Sequence, residues 1–202
     1  DKITSDDIKS FFSSKEFSDL YTSNNEPLHS FPISYKVDSN KTVSDPVGLL
    51  SETLTTTWHI VSVSKDFLRK IHNIFSELDI NVYQTVSSFY ASSLAALKEN
   101  ESDLGSICID IQKNQTCLSY TFDNQLIGFD TVKIGTFHFA NDISQIKSIS
   151  IEDAELYRKK YDAHNFDKKR NLEDEQIYQI YLSRAEELAE VIFSLIQRSR
   201  FR

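Results

Sequence analysis

Residues 104–135, LGSICIDIQKNQTCLSYTFDNQLIGFDTVKIG, read as three short strands joined by tight turns. The first run, 104–111, is almost unbroken in its apolar character and carries Asp110 at its end. Polar residues follow, then a second β-rich run at 117–122 and a third at 126–134, with Asp123-Asn124 supplying the turn between them. The rest of the chain can be placed relative to these strands.

On the N-terminal side, residues 89–97 form a short helix with small residues on one side, suited to close packing on a sheet. Residues 80–86 read as a strand. Before them comes the clearest helical pattern in the sequence, capped by Ser64, with Phe67, Leu68, Ile71, Ile74, Phe75 and Leu78 recurring at three- and four-residue spacing. Residues 52–63 and 28–37 alternate as strands, the latter with Phe31, Ile33, Tyr35 and Val37 on one face and with Pro32 indicating an edge position. Between these two strands lies a turn-rich connector, 38–47, and before them a polar loop, 21–27. The chain opens with an amphipathic helix, 5–12, that Thr4 or Ser5 can cap. Together these elements make an α+β unit of roughly 80 residues, a size at which many domains fold alone.

On the C-terminal side, helices are expected at 137–146 and 151–161, the second with Ser150 and Asp153 as a capping box. A charged loop, 162–170, precedes a long helix at 172–197. Its stripe of Ile177, Ile180, Tyr181, Leu188, Val191, Ile192 and Leu195 reads as core rather than as a docking face.

Composition bounds the function. A hydrophobic content of 40% and an aromatic content of 12% in 202 residues describe a folded chain rather than a disordered one. A net charge of -8 argues against nucleic acid as a partner, which needs clustered Lys and Arg. The basic residues between 158 and 170 alternate with Asp162 and Asp167, as on a solvated face. Cys108 and Cys117 fall on neighbouring strands, where a bridge is conceivable, but read as buried reduced thiols. His29, His59, His72, His138 and His164 are scattered without metal-site or acid/base spacing. No signal peptide is visible and no stretch approaches the roughly 20 apolar residues of a membrane span, so the chain reads as soluble.

The strand ending in aspartate, with its short turn and returning strand, resembles the phosphate-binding hairpin of actin-like nucleotide-binding proteins, whose turn is D-[IL]-G-G-G-T-T. Here the turn is Asp110-Ile111-Gln112-Lys113-Asn114-Gln115-Thr116. Glycines serve such a turn because backbone N–H groups must approach the phosphates with no Cβ in the way. All three are replaced. The resemblance extends in collinear order to FtsA, the actin-like protein family of bacterial cell division. Asp45-Pro46-Val47-Gly48-Leu49 resembles its D-P-V-G-L, and residues 58–82 its strand, helix and G-L-x-V segment. Ala91-Ser92-Ser93-Leu94-Ala95-Ala96-Leu97 is similar to A-S-A-x-A-V-L, and residues 101–105 to D-E-x-E-L-G. Residues 135–143 resemble G-G-N-x-I-T-N-D-I; Ala154-Glu155 stands at A-E-x-L-K, and Arg184 at the arginine of I-I-x-x-R.

The resemblance implies an α/β fold: part of an actin-like (ribonuclease-H-like) lobe preceded by an α+β subdomain of the FtsA 1C (SHS2) type. Its divisions fall at 1–86 for the subdomain, 87–147 for the first part of lobe 2A with its hairpin, and 148–202 for a helical part resembling 2B. It also implies flanking segments of a longer protein, with a first phosphate loop before residue 1 and an adenosine-binding G-G-G-A after residue 202. The function implied is a non-enzymatic adaptor that polymerises, binds the tubulin-like FtsZ through about 148–202, and meets itself and other division proteins through about 1–86. A terminal helix absent from these residues would hold it to the cytoplasmic face of the inner membrane at the division site. Intact relatives bind ATP with Mg; in this chain the matching positions are Asp110, Gln112, Lys113, Asn114, Gln115 and Thr116. With the glycines gone, Asp110 reads first as a turn cap, Thr116 as a strand threonine and Lys113 as a solvated lysine, and no cofactor is expected. The alternatives are an ATP switch, an adaptor of pilus assembly of the PilM type, or a decayed gene fragment.

Overall fold

The computed structural model describes residues 2–12, 14–19, 24–38, 41–160 and 172–199. Two three-stranded antiparallel sheets organise them. The first is built from β1 (Asn25–Val37), β2 (Lys41–Val43) and β3 (Leu54–Ser64), in the order β2-β1-β3. The second contains β4 (Ser106–Ile111), β5 (Thr116–Phe122) and β6 (Gln125–Val132), in chain order.

The chain enters through α1 (Ser5–Phe11), capped by Thr4, whose hydroxyl accepts the Asp7 N–H while Asp7 reaches back to the Thr4 N–H. A one-turn helix, α2 (Lys15–Ser18), follows. Phe11 stacks on Trp58 of β3 and Phe17 meets Phe11 edge-on, which covers one face of the first sheet. The Asp45-Pro46-Val47-Gly48-Leu49 stretch has a physical role here. Asp45 accepts the Val47 N–H, Pro46 is fully buried, and Gly48 turns at φ 89°. The backbone of Gly48 and Leu49 then pairs with Ile3, tying the N-terminus to the connector between β2 and β3.

One expectation for the first sheet is corrected and another holds locally. Ile33 does not share a face with Tyr35 and Val37, because the register shifts between Pro32 and Ser34 and leaves Ile33 without a partner on β3. The bulge inverts the phase of the strand. Phe31 therefore faces the second sheet, while Tyr35 and Val37 are buried on the other side. Pro32 sits on β1, the central strand by order, yet β2 pairs only with Tyr35, Lys36 and Val37. At Pro32 the strand has a neighbour on one side alone, so the missing N–H costs no ladder bond.

Ser64 is at the N-cap of α3 (Lys65–Glu77), but its side chain makes no capping bond; it is the last paired residue of β3, and the helix leaves directly from the ladder. Leu68 is buried, whereas Phe67, Ile74 and Leu78 are more than half exposed, so the expected apolar stripe faces largely outward. The strand expected at 80–86 does not form. Those residues have no ladder partner, Tyr83 is fully exposed, and an extended segment without a neighbouring strand gains no backbone bonds.

Helices sandwich the second sheet. α4 (Ser88–Ala96) lies on one face, preceded by the extended segment and followed by α5 (Glu99–Leu104). On the other, α6 (Thr136–Lys147) and α8 (Leu172–Arg198) enclose Leu118, Tyr120, Val132, Phe139 and Leu188. A second cluster, Ala140, Ile143, Ala154 and Ile177, joins α6 and α8 to α7 (Ile151–Lys160). The expected stripe of α8 lies in these two clusters. Ser150 and Asp153 cap α7 as expected. The charged loop at 162–170 and part of the polar loop at 21–27 lie outside the described residues. Among the described residues no helix is long and apolar enough to cross a membrane.

Arg184 of α8 grips Asp142 of α6 with two bonds of 2.6 and 2.9 Å and also pairs with Glu187. The carboxylates hold its guanidinium pKa up, and the fork orients the two helices. Ile143, one residue on, has no exposed surface. Replacing Ile143 by Ala should cost about 2–5 kcal/mol in urea unfolding. The same change at Ile146, 65% exposed on the same helix, should stay within about 0.5 kcal/mol.

Candidate functional site at the hairpin turn

The sequence leads to the turn between β4 and β5, and the fold explains its shape. Ile111 pairs with Thr116, and the Gln112 N–H closes the turn on the Gln115 carbonyl at 2.9 Å. No residue of the turn has a positive φ, so non-glycine residues sit there without backbone strain.

Asp110 and its neighbours form one polar network. Oδ2 of Asp110 accepts from Ser92 Oγ of α4 and from Gln112 Nε2, each at 2.8 Å. The Gln112 amide also reaches Ser88 Oγ at 3.5 Å. Gln112 thus folds back over the carboxylate, toward the first turn of α4. Thr116 is fully buried and donates its hydroxyl to the Ile134 carbonyl at 2.7 Å. Gln115 reaches back to Cys117 Sγ at 3.6 Å. Lys113 and Asn114 are exposed. Glu155 of α7 is held below the usual carboxylate range chiefly by its bond to Arg158, with Lys159 and Lys113 adding smaller attractions. Cys108 and Cys117 are free thiols, both pushed up by burial and then by the charge of Asp110.

The turn is pressed against the start of α6. The Thr136 N–H donates to the Gln112 carbonyl at 2.9 Å, and the Phe137 N–H to the Lys113 carbonyl at 2.8 Å. His138 N–H bonds the Gly135 carbonyl, while His138 Nδ1 accepts the Gly135 N–H at 3.1 Å. The first three donors of α6, which at an open helix start would serve an anion, are therefore engaged within the chain. The residues present do not fit a nucleotide phosphate: side chains replace the approach glycines, and the nearby N–H groups have protein partners.

The scattered histidines divide as well. His72 bonds Thr85, and His29 and His59 meet at the junction of the two sheets. His164 lies outside the described residues. Among the described residues no group of His, Cys, Asp and Glu has the arrangement of a metal site. Sequence reasoning missed the reach of Gln112 to α4, because a side chain's rotamer is set by a partner distant in sequence. It also missed what makes Gly135 necessary. A Cβ there would sit 2.6 Å from Gln115 N and Lys113 O, and closer still to Gln112 O. These are backbone atoms that cannot turn aside. Gly135→Ala should therefore destabilise the chain by about 1–3 kcal/mol in chemical denaturation, with loosened amide protection at residues 112–115.

Residues 1–62 match the family described as "SHS2 domain inserted in FTSA". The cell division protein FtsA of Agrobacterium fabrum is 32% identical over 128 residues, covering 63% of this chain and 29% of the relative. FtsA of Buchnera aphidicola subsp. Schizaphis graminum is 27% identical over 80% of this chain and 38% of its own length. The chain thus spans about a third of the curated relatives it matches. Among solved structures, MreB5 of Spiroplasma citri bound to AMPPNP superposes with a TM-score of 0.55 at 18% identity, over 68% of this chain and 48% of that one. A chain of the PilM-PilN type IV pilus biogenesis complex superposes at 0.62 and 12% identity, over 96% of this chain and 52% of that one. Likenesses this distant in sequence carry the fold alone, a partial actin-like lobe. With the SHS2 match at its N-terminal end, the chain is similar to FtsA over 63–80% of its length.

Proposed function

We propose that this FtsA-like chain acts as a non-enzymatic adaptor of cell division, in which partner binding has replaced nucleotide handling. The observation that carries the reading is the closed turn. Asp110 is engaged by Ser92 and Gln112, and the carbonyls of Gln112 and Lys113 occupy the N–H groups at the start of α6. A turn that hydrolysed ATP would need that carboxylate and those donors for water, metal and phosphate. The partners proposed follow the FtsA likeness. FtsZ is assigned to the helical part, about 148–202, where Arg184 and Asp142 fix the helices. Self-association and other division proteins are assigned to the SHS2 side, and the site of action to the cytoplasmic face of the inner membrane. A PilM-type pilus adaptor is the weaker reading, since its support is likeness of fold.

Calorimetry with ATP and magnesium, beside co-sedimentation with FtsZ filaments, tests this. The unchanged chain should give no ATP binding at micromolar concentration and should pellet with FtsZ whether or not nucleotide is present. Micromolar ATP binding, about 8 kcal/mol of free energy, would overturn the adaptor reading in favour of a switch. Absence from the FtsZ pellet would remove FtsZ as the partner. A variant with Gln112, Lys113 and Asn114 all changed to Gly shows whether the side chains alone exclude the nucleotide.

A further inference from the structure

Where the first sheet meets α4, two imidazoles share one aromatic cluster. His29 and His59 flank the Phe31 ring, stacked at centroid distances of 5.9 and 6.4 Å. Tyr90 of α4 closes on His29 at 4.8 Å and on Phe31 at 5.0 Å. Phe129 of β6 meets His59 edge-on at 6.0 Å and stacks on Phe89 of α4 at 4.2 Å. These rings form the seam between the SHS2 sheet and the hairpin sheet.

A hydrogen bond ties the cluster to the backbone at the start of α4: the Ser87 N–H donates to His29 Nε2 at 3.1 Å. Accepting it requires a lone pair on Nε2, hence a neutral ring with its proton on Nδ1. Ser87 is the N-cap of α4. A protonated His29 would lose its acceptor and set a positive charge against the positive end of the helix. Among the described residues His59 Nε2 is buried with no hydrogen-bond partner, so a charge there would be buried without a bond to it. Burial holds both imidazoles below the ordinary histidine value, and no charged neighbour contributes. The titratable groups facing His29 are Tyr90 from α4 and, across Phe31, His59 from β3; β6 presents the uncharged Phe129 to His59. Among the described residues, burial alone accounts for the lowering at both rings.

We propose that this seam is a pH-operated latch: neutral His29 holds the SHS2 sheet on the first turn of α4, and protonation of His29 and His59 releases it. The latch is separate from the division role and stands or falls without it. Because the closed seam lowers both pKa values, it binds fewer protons than the open one. Its stability is complete above about pH 6.5 and is lost as the pH falls from there toward the folded values. One linked proton raises the open population by up to about tenfold per pH unit, and two by up to about a hundredfold.

The test is nuclear magnetic resonance on the whole chain, following imidazole nitrogen shifts and amide protection at Ser87 between pH 7.5 and 5. His29 should carry its proton on Nδ1 and titrate below 6.5, while Ser87 protection falls by up to about a hundredfold per pH unit. His29→Gln, with a non-titrating acceptor, should remove at least one of those proton steps at Ser87. Reading the effect at Ser87 separates it from His138, which accepts a backbone N–H at α6. Three results would overturn the latch: His29 titrating at or above 6.5, a proton on Nε2 at neutral pH, or Ser87 protection unchanged down to pH 5. The titration of the unaltered chain decides the matter even where the variant does not fold.

Discussion

Burial of β5 from both faces is the constraint on which the second half of the molecule depends. Every residue from Thr116 to Thr121 is buried, although Thr116, Ser119 and Thr121 are polar. Leu118 and Tyr120 point into the cluster of α6 and α8, and each such burial is worth about 1.5–3 kcal/mol. Ser119 turns the other way and bonds the Phe89 carbonyl of α4 at 3.3 Å. Polar groups can be buried there because each has a partner: Thr116 the Ile134 carbonyl, Thr121 the Ser106 carbonyl, Tyr120 the Asp130 carboxylate. Burial, and then the bond to the Asp130 carboxylate, push the Tyr120 hydroxyl pKa far up.

A strand clasped in this way leaves its ends little freedom. The turn before it is trapped between α4 and the start of α6, and the tightest point is Gly135, where turn and helix backbones meet without a side chain between them. The turn holds no glycine and is closed, the Gln112 N–H bonding the Gln115 carbonyl. Gln112 uses the space toward α4, linking Asp110 to Ser88 and Ser92. α4 thus carries contacts of two kinds on one short helix, the hairpin aspartate on one side and the SHS2 aromatic cluster on the other. The two halves of the chain meet at its first turns and along β6, where Phe129 reaches His59.

Much of this was legible before any coordinates. The hairpin strands, the two-residue turn at Asp123 and Asn124, the caps of α1 and α7 and the stripe of α8 follow from local rules. Two residues with φ of 51° and 58° suit an aspartate and an asparagine, and a stripe at helical spacing needs only one neighbouring layer. What failed was of another kind. The bulge at Ile33 is a pairing event, so no count of alternation along β1 alone could reveal it. Residues 80–86 have the composition of a strand, but a strand exists only beside another.

The sequence by itself determined the hairpin, the longer helices, the SHS2-type beginning and the FtsA likeness, because periodicity, capping and motif order are properties of neighbours along the chain. Only the tertiary structure decided whether the candidate turn is open or closed, which residue of it reaches α4, and that two histidines far apart in sequence share one ring stack. Those outcomes depend on distances between segments, and such distances are set by packing rather than by local preference.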